Sequence, residues 1–156
     1  MKHLRTTAIS VLMTVALLGV TASAVAAAAP LSVHIEVPEV IATSGEPFTA
    51  TGAAVDAGAV CPSGTVDDLS TVTSGPPSGP YTILQVLKRF NCDDLSGTFD
   101  VRLVVRLDNS NHQTTASWRI VDGTGDYADL KGNGTLVGTP IVPGESIQDV
   151  YDGKVH

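Results

Sequence analysis

Apolar and polar residues alternate with a period of two along much of the chain, which is the spacing of a β-strand that buries one face. The clearest segment is FDVRLVVRL, in which an aspartate and two arginines face one way and the other face carries Phe99, Val101, Leu103, Val105 and Leu107. Beyond the first 28 residues, no long stretch keeps an apolar stripe at the helical period. The pattern therefore predicts strands with one buried and one solvated face.

The same alternation predicts about eight strands in all. They are expected over residues 33–37, 48–55, 81–90, 99–107, 112–121, 134–139 and 147–155, with two weaker strands near Thr65 and Thr71. Turn-forming residues separate them, notably SGPPSGP at 74–80 and DNSN at 108–111. Short strands joined by short turns predict an all-β protein.

The edges of such a sheet must be protected, because an open edge pairs with other chains. An all-β domain of this size either closes into a barrel or packs as a sandwich. Neighbouring strands joined by short turns favour a single closed antiparallel barrel, with a β-sandwich as the alternative. We expect residues 29–156 to form this one domain, because no linker composition divides them.

The N-terminus has the pattern of a secretory signal peptide over residues 1–28. Lys2, His3 and Arg5 precede the apolar run AISVLMTVALLGV, and small residues follow it, with cleavage sites after Ala26 or Ala28. The run is shorter than the roughly 20 apolar residues that span a bilayer. The sequence therefore predicts a protein that is secreted or lies in the cell envelope, with no stable membrane anchor after cleavage.

Removal of the leader would leave seven basic residues against 16 acidic ones, because Lys2 and Arg5 lie in the leader and all the acidic residues lie beyond it. Nucleic acids and anionic lipid surfaces attract clustered Lys and Arg, whereas the seven remaining basic residues are scattered. The charge therefore predicts no nucleic-acid partner. The sequence makes no prediction of the oligomeric state.

The two cysteines, Cys61 and Cys92, both follow the predicted leader. In an oxidising compartment an isolated pair is most simply a disulfide, with two free thiols or half of a metal site as the alternatives. Closing a loop of about 32 residues should stabilise the fold by roughly 3–4 kcal/mol. A redox role is disfavoured because the pair is not a C-x-x-C motif.

A glycine-rich segment, WRIVDGTGDYADLKGNGTLVG, could bind phosphate, bind calcium or make a turn. A phosphate loop needs a helix after its glycines, and DYADLK is too short to provide one. Calcium would use Asp122, Asp126 and Asp129, but their spacing is not that of a calcium-binding loop. Aspartates in the pairs Asp67–Asp68 and Asp93–Asp94 are interpreted as solvated turn residues.

The interpretation we favour for this segment is structural. The chain is expected to turn at residues 123–125, and DYADLK to form one helical turn that presents Tyr127 and Leu130 to the same side, as a plug for one barrel end. Gly132 and Gly134 are expected to let the chain turn back into the next strand, because glycine tolerates a positive φ.

The segment resembles the G-T-G-x-[YF]-A-x-[LA]-x-G-x-G signature of the allene oxide cyclase and dirigent type of barrel. The matching positions are Gly123, Thr124, Gly125, Tyr127, Ala128, Leu130, Gly132 and Gly134, and the departures are Asp122 and Asp129. More loosely, CPSGTVDD and FNCDDLSGTFDVRL resemble strand pairs of secreted actinobacterial proteins of this kind. The resemblance implies a bacterial protein with an eight-stranded, calycin-like barrel.

Plant members of that group use a mostly apolar cavity without a cofactor, either to cyclise an unstable epoxide or to steer the coupling of phenoxy radicals. Their catalytic polar residues have no match in this sequence, so no catalytic residue is carried over. The resemblance therefore implies a fold more specifically than an activity.

Few other residues are candidates for chemistry. His34, His112 and His156 lie far apart in the sequence and are expected at the surface or the barrel rim. Trp118 could stack on a ligand, but a single Trp on a strand is more often part of the core or the barrel end. No catalytic, cofactor-binding or metal-binding residue is assigned, and no cofactor is predicted.

Two functions are consistent with these features of the sequence. The first is a non-catalytic secreted barrel that binds a small apolar ligand or acts in the cell envelope through its surface. The second is a cofactor-free cyclase, isomerase or coupling-guide enzyme. An open apolar cavity with convergent polar groups would favour a ligand or substrate, whereas a completely filled barrel would leave only the surface.

Overall fold

Residues 29–41, 43–74 and 79–156 are described by a computed structural model. They form one closed antiparallel barrel in which each strand pairs with the next along the chain and the last pairs with the first. The strands are β1 (Leu31–Val40), β2 (Glu46–Thr51), β3 (Ser63–Ser74), β4 (Tyr81–Cys92), β5 (Thr98–Asp108), β6 (Thr114–Gly123), β7 (Gly132–Val142) and β8 (Ser146–Val155). The predicted fold class is thereby confirmed. The predicted signal peptide, residues 1–28, and residues 75–78 of the predicted loop lie outside the described residues.

The strand predicted over 48–55 ends earlier than expected. β2 stops at Thr51, and residues Ala53–Asp56 form a short helix, α1. Gly52 has a φ of 106°, a conformation that favours glycine, and a side chain there would meet the Ser32 carbonyl oxygen at 2.8 Å. The chain can therefore leave the sheet at Gly52, and α1 buries Ala54 over one end of the barrel.

The two weak strands predicted near Thr65 and Thr71 are one continuous strand, β3. A β-bulge lies between Asp68 and Ser70, where the register with β4 shifts. The extra residue reverses the order of inward and outward positions along the strand, which explains why its alternation looked broken. The strand predicted over 112–121 also begins later, at Thr114, because His112 has a φ of 60° and belongs to the preceding turn.

One end of the barrel is closed by packed side chains, and we call this region the packed half. Phe90 is fully buried and contacts the rings of Phe48, Phe99 and Tyr151. The disulfide joins Cys61 to Cys92 at this end, as predicted, and both cysteines are buried. The void between these side chains is only about 10 Å³, so this half has a close-packed core.

The glycine-rich segment lies at the same end and contains a 3₁₀ turn, η1 (Gly125–Tyr127). Gly125 has a φ of 59°, so the predicted tight turn is present. Tyr127 is buried, packs edge-on against Phe99, and its hydroxyl lies 2.8 Å from Ser96 Oγ. Leu130 is partly buried against the same core.

Gly132 and Gly134 have a different role from the one predicted. Both lie in β7, and neither has a positive φ, so the expected conformational reason is wrong. Gly134 pairs with Gly153 of β8, and a side chain on either residue would collide with the Trp118 indole. Trp118 is accordingly a buried core residue, and its Nε1 donates a hydrogen bond to the Thr135 carbonyl oxygen at 3.0 Å.

Candidate functional site

The other half of the barrel contains a cavity of about 370 Å³, and we call this region the hollow half. Its wall is mostly apolar and is formed by Leu84, Val86, Leu103, Val105, Leu107, Leu136 and Ile147. Exposed apolar residues lie at the ends of β1 and β7 around the mouth, namely Val40, Ile41, Ile141 and Val142. The cavity is therefore accessible to an apolar molecule at the end of the barrel opposite η1.

The cavity follows from the size of the side chains in each half. In the packed half the interior positions carry phenylalanine, tyrosine and tryptophan. In the hollow half the lining includes short residues, Thr71, Thr114 and Pro140, and Gly138 has no side chain at all. A ring of strands has a fixed diameter, so short interior side chains leave space in its centre.

Charged residues converge at one side of this cavity, and we call Glu39, Asp68, Lys88 and Asp149 the charged cluster. Lys88 is only 5% exposed, and its Nζ lies 2.6 Å from Glu39 Oε2 and 2.6 Å from Asp68 Oδ1. Burial alone would lower the pKa of Lys88, but the charges and hydrogen bonds of the two carboxylates outweigh it and raise that pKa. Lys88 therefore remains an ammonium group inside the barrel.

Asp149 is the third carboxyl of the cluster and is 6% exposed. Among the described residues, its Oδ1 has no hydrogen-bond partner. Burial, followed by repulsion from Glu39, raises the pKa of Asp149 to about 7, although Lys88 acts in the opposite direction. A hydrogen bond with Glu39 also contributes to the rise. At neutral pH this carboxyl is therefore close to half protonated, and its buried Oδ1 lacks a hydrogen-bond donor among the described residues.

The Asp149 carboxyl has room because β7 has a glycine beside it. Gly138 pairs with Asp149 across β7 and β8. A side chain at Gly138 would overlap both Asp149 Oδ1 and the Thr114 hydroxyl. Glycine at this position therefore lets Asp149 Oδ1 lie against β7, in the place that a side chain of residue 138 would take.

Tyr151 lies two residues after Asp149 on the same strand and separates the two halves. Its ring contacts Phe90 and Trp118 of the packed half. Its hydroxyl is buried and has no hydrogen-bond partner among the described residues. Burial, and then the negative charge of Asp149, raises the pKa of Tyr151 well above its usual value, so the phenol stays protonated.

The structure does not bring the predicted candidate residues together. His34 lies on the outer face of β1, where its Nδ1 is 2.7 Å from Asp152 Oδ1 and its Nε2 is 3.3 Å from Glu36 Oε1. The hydrogen bond with Asp152, and then the one with Glu36, raises the pKa of His34. His112 is exposed at the cavity mouth, and His156 is exposed at the terminus. Within residues 29–41, 43–74 and 79–156, no group of three His, Cys, Asp or Glu side chains is placed to hold a metal ion.

One interpretation of the acidic residues was wrong. Asp67 and Asp68 lie in β3 rather than in a solvated turn, and Asp68 pairs with Lys88. Asp93 and Asp94 do lie in the β4–β5 turn, where Ser96 donates to Asp94.

Comparison with known families, curated proteins and solved structures found no match. In the part of the chain described, no helix has the length and apolar character needed to cross a membrane.

The charged cluster was not predicted from the sequence, but the alternation contains a signal for it. Glu39 continues the inward series of Val33, Ile35 and Val37 on β1. Lys88 falls between Val86 and Phe90 on β4, and Asp149 between Ile147 and Tyr151 on β8. A charged residue at an inward position of a strand is a departure from the pattern and indicates either a paired charge or a site.

Proposed function

We propose that this protein is a secreted binding protein that holds a small, largely apolar molecule in the hollow half of its barrel. The observation that carries the proposal is the 370 Å³ cavity, with apolar walls and a few convergent polar groups on one side. Ligand sites in proteins commonly have this composition, because apolar walls supply affinity and the polar groups fix the orientation.

Secretion is supported by two features. The N-terminal residues have the pattern of a signal peptide. The buried Cys61–Cys92 disulfide is typical of a protein that folds in an oxidising compartment.

A second candidate function is a cofactor-free cyclase or isomerase, as the resemblance to the allene oxide cyclase and dirigent type of barrel implies. The observation that favours it is Asp149, whose pKa of about 7 suits a group that donates or accepts a proton at neutral pH. If this function is correct, Asp149→Asn should abolish turnover of a bound substrate and leave its binding intact.

The binding proposal can be tested by native mass spectrometry of the mature protein purified from the medium of its own host. We expect a fraction of the protein to carry an additional mass that is released on denaturation. Val105→Trp, which places an indole in the cavity, should abolish that mass. Val104→Trp is the matched control, because Val104 is the adjacent residue of β5 and is exposed on the outer face.

An additional mass that persists in Val105→Trp would place the ligand elsewhere. A wild-type protein that has no additional mass and does not bind added apolar compounds would contradict the proposal.

A further inference from the structure

The charged cluster contains more negative than positive groups. Three carboxyl side chains, from Glu39, Asp68 and Asp149, surround the ammonium group of Lys88. Lys88 is already engaged at 2.6 Å by two of them. Asp149 Oδ1, on a side chain that is only 6% exposed, has no partner among the described residues. With three carboxylates against one ammonium group, the fully ionised cluster has a net charge of −2, and Asp149 Oδ1 lacks a hydrogen-bond donor.

We propose that the ligand of this cavity is a small amphipathic amine, whose ammonium group donates a hydrogen bond to Asp149 and whose apolar body contacts Leu84, Leu103 and Val105. The inference rests on the proposed function, since it names the class of molecule that occupies the same cavity. It goes further by assigning the group that recognises the polar end.

The charges argue against the other polar end groups. A carboxylate or phosphate would need a free cation, but the buried Lys88 is occupied by Glu39 and Asp68. A neutral hydroxyl could donate to Asp149, but it would leave the excess negative charge inside the barrel. An ammonium group supplies both the donor and the charge, and a charge-assisted hydrogen bond is about twice as strong as a neutral one.

The cavity also limits the size of the amine. A water-sized group takes up about 30 Å³, so a cavity of 370 Å³ holds roughly a dozen non-hydrogen atoms. Octylamine therefore fits, and octanol and octanoate are probes of nearly the same size with a neutral and an anionic end.

The experiment is isothermal titration of the full mature protein with octylamine, octanol and octanoate at pH 8. We expect octylamine to bind about tenfold more tightly than either of the others, the difference that a charge-assisted bond provides. Asp149→Asn removes the charge with little change of shape and should remove the preference. Asp152→Asn is the control, because Asp152 is exposed on the outer face of the same strand, and it should keep the preference.

A second arm changes the pH and leaves the protein unmodified, so it does not depend on the folding of a variant. The charged and titratable groups around Asp149 are Glu39, Asp68, Lys88 and Tyr151, with His112 at the mouth. Between pH 8 and pH 5.5 the amine stays protonated, while Asp149 takes up a proton. Octylamine binding should weaken about tenfold or more over this range, and octanol binding should change little.

The outcomes separate this inference from the proposed function. Equal affinities for all three probes, or tightest binding of octanoate, would overturn the amine and leave the binding protein in place. A preference for octylamine that survives Asp149→Asn would overturn the role of Asp149. If none of the three probes binds, and no native ligand is found, both proposals fail.

Discussion

The two halves of this barrel are built from the same eight strands but differ in what fills them. In the packed half, stacked and edge-on aromatic rings leave a void of about 10 Å³. In the hollow half, short side chains and the charged cluster around the buried Lys88 surround about 370 Å³. One end of the barrel can therefore supply most of the stability while the other keeps a cavity, because the strands continue through both ends and hold the open end in shape.

The largest expected difference between the halves is in their response to lost side chains. Phe90→Ala removes a fully buried ring from the aromatic cluster and should lower the free energy of unfolding by about 3–5 kcal/mol. Leu84→Ala, in the cavity wall, enlarges a space that is already open and should cost less than about 2 kcal/mol. Urea unfolding of both variants measures the two values, and equal losses would contradict the division.

The disulfide should matter nearly as much to the packed half. Reduction of Cys61–Cys92 by dithiothreitol should lower the stability by about 3–4 kcal/mol, because the unfolded chain regains the entropy of a loop of about 32 residues. The double variant Cys61→Ala/Cys92→Ala is the control and should melt at the same temperature with and without the reductant. An unchanged melting temperature of the wild type on reduction would show that the bond does not stabilise the fold.

In the hollow half, one substitution should increase stability. The folded-state pKa of Asp149, about 7, lies above its usual value of 3.8. Between these values the folded protein keeps a proton that the unfolded chain has lost, so stability falls as the pH rises from about 4 to 7. Above pH 7 the folded protein bears the full free-energy cost of ionising Asp149, which the two pKa values put at roughly 4 kcal/mol at most. We expect about half of that, because water that reaches the cavity screens the charge.

Asp149→Asn should therefore raise the melting temperature at pH 8 by about 5 °C or more. The gain should shrink by more than half at pH 5, where the wild-type carboxyl is also neutral. Differential scanning calorimetry at the two pH values measures both numbers. A lower melting temperature for Asp149→Asn at pH 8 would mean that the ionised carboxyl has a stabilising partner.

The smallest effect is expected from filling the cavity. Val105→Trp adds an indole to existing space and should change the free energy of unfolding by less than about 1 kcal/mol. Val101→Trp makes the same addition on the same face of β5 but within the packed half. Overpacking of a dense core typically costs about 1–3 kcal/mol, so this variant should be less stable. Urea unfolding of the two variants measures the difference. If Val105→Trp is as harmful as Val101→Trp, the hollow half is not hollow in solution.

The packed half could be predicted from the sequence in most respects. The period of two in β5 requires a buried face, an isolated cysteine pair after a predicted signal peptide indicates a disulfide, and Tyr127 between two glycine pairs indicates a plug. The roles of Gly134 and Gly153 were not predictable, because they depend on Trp118 of another strand. Close approach of this kind is a property of register across strands and not of one segment.

The hollow half could be predicted far less. Glu39, Asp68, Lys88 and Asp149 come from four strands, and only closure of the barrel brings them together. The bulge in β3, which follows Asp68, also places Thr71 inside by a shift that alternation does not reveal. An inward Lys88 was visible in the pattern, but its partners depend on the register of β1, β3 and β8.

The central claim is that an apolar molecule enters one half of the barrel and not the other, and methyl NMR tests it most directly. Octanol is added to protein with labelled valine and leucine methyl groups. We predict shifts of the methyl signals of Leu84, Leu103 and Val105, and none for Val33 or Val155 in the packed half. Unchanged methyl signals in the cavity wall, or shifts confined to the packed half and the outer face, would contradict the account.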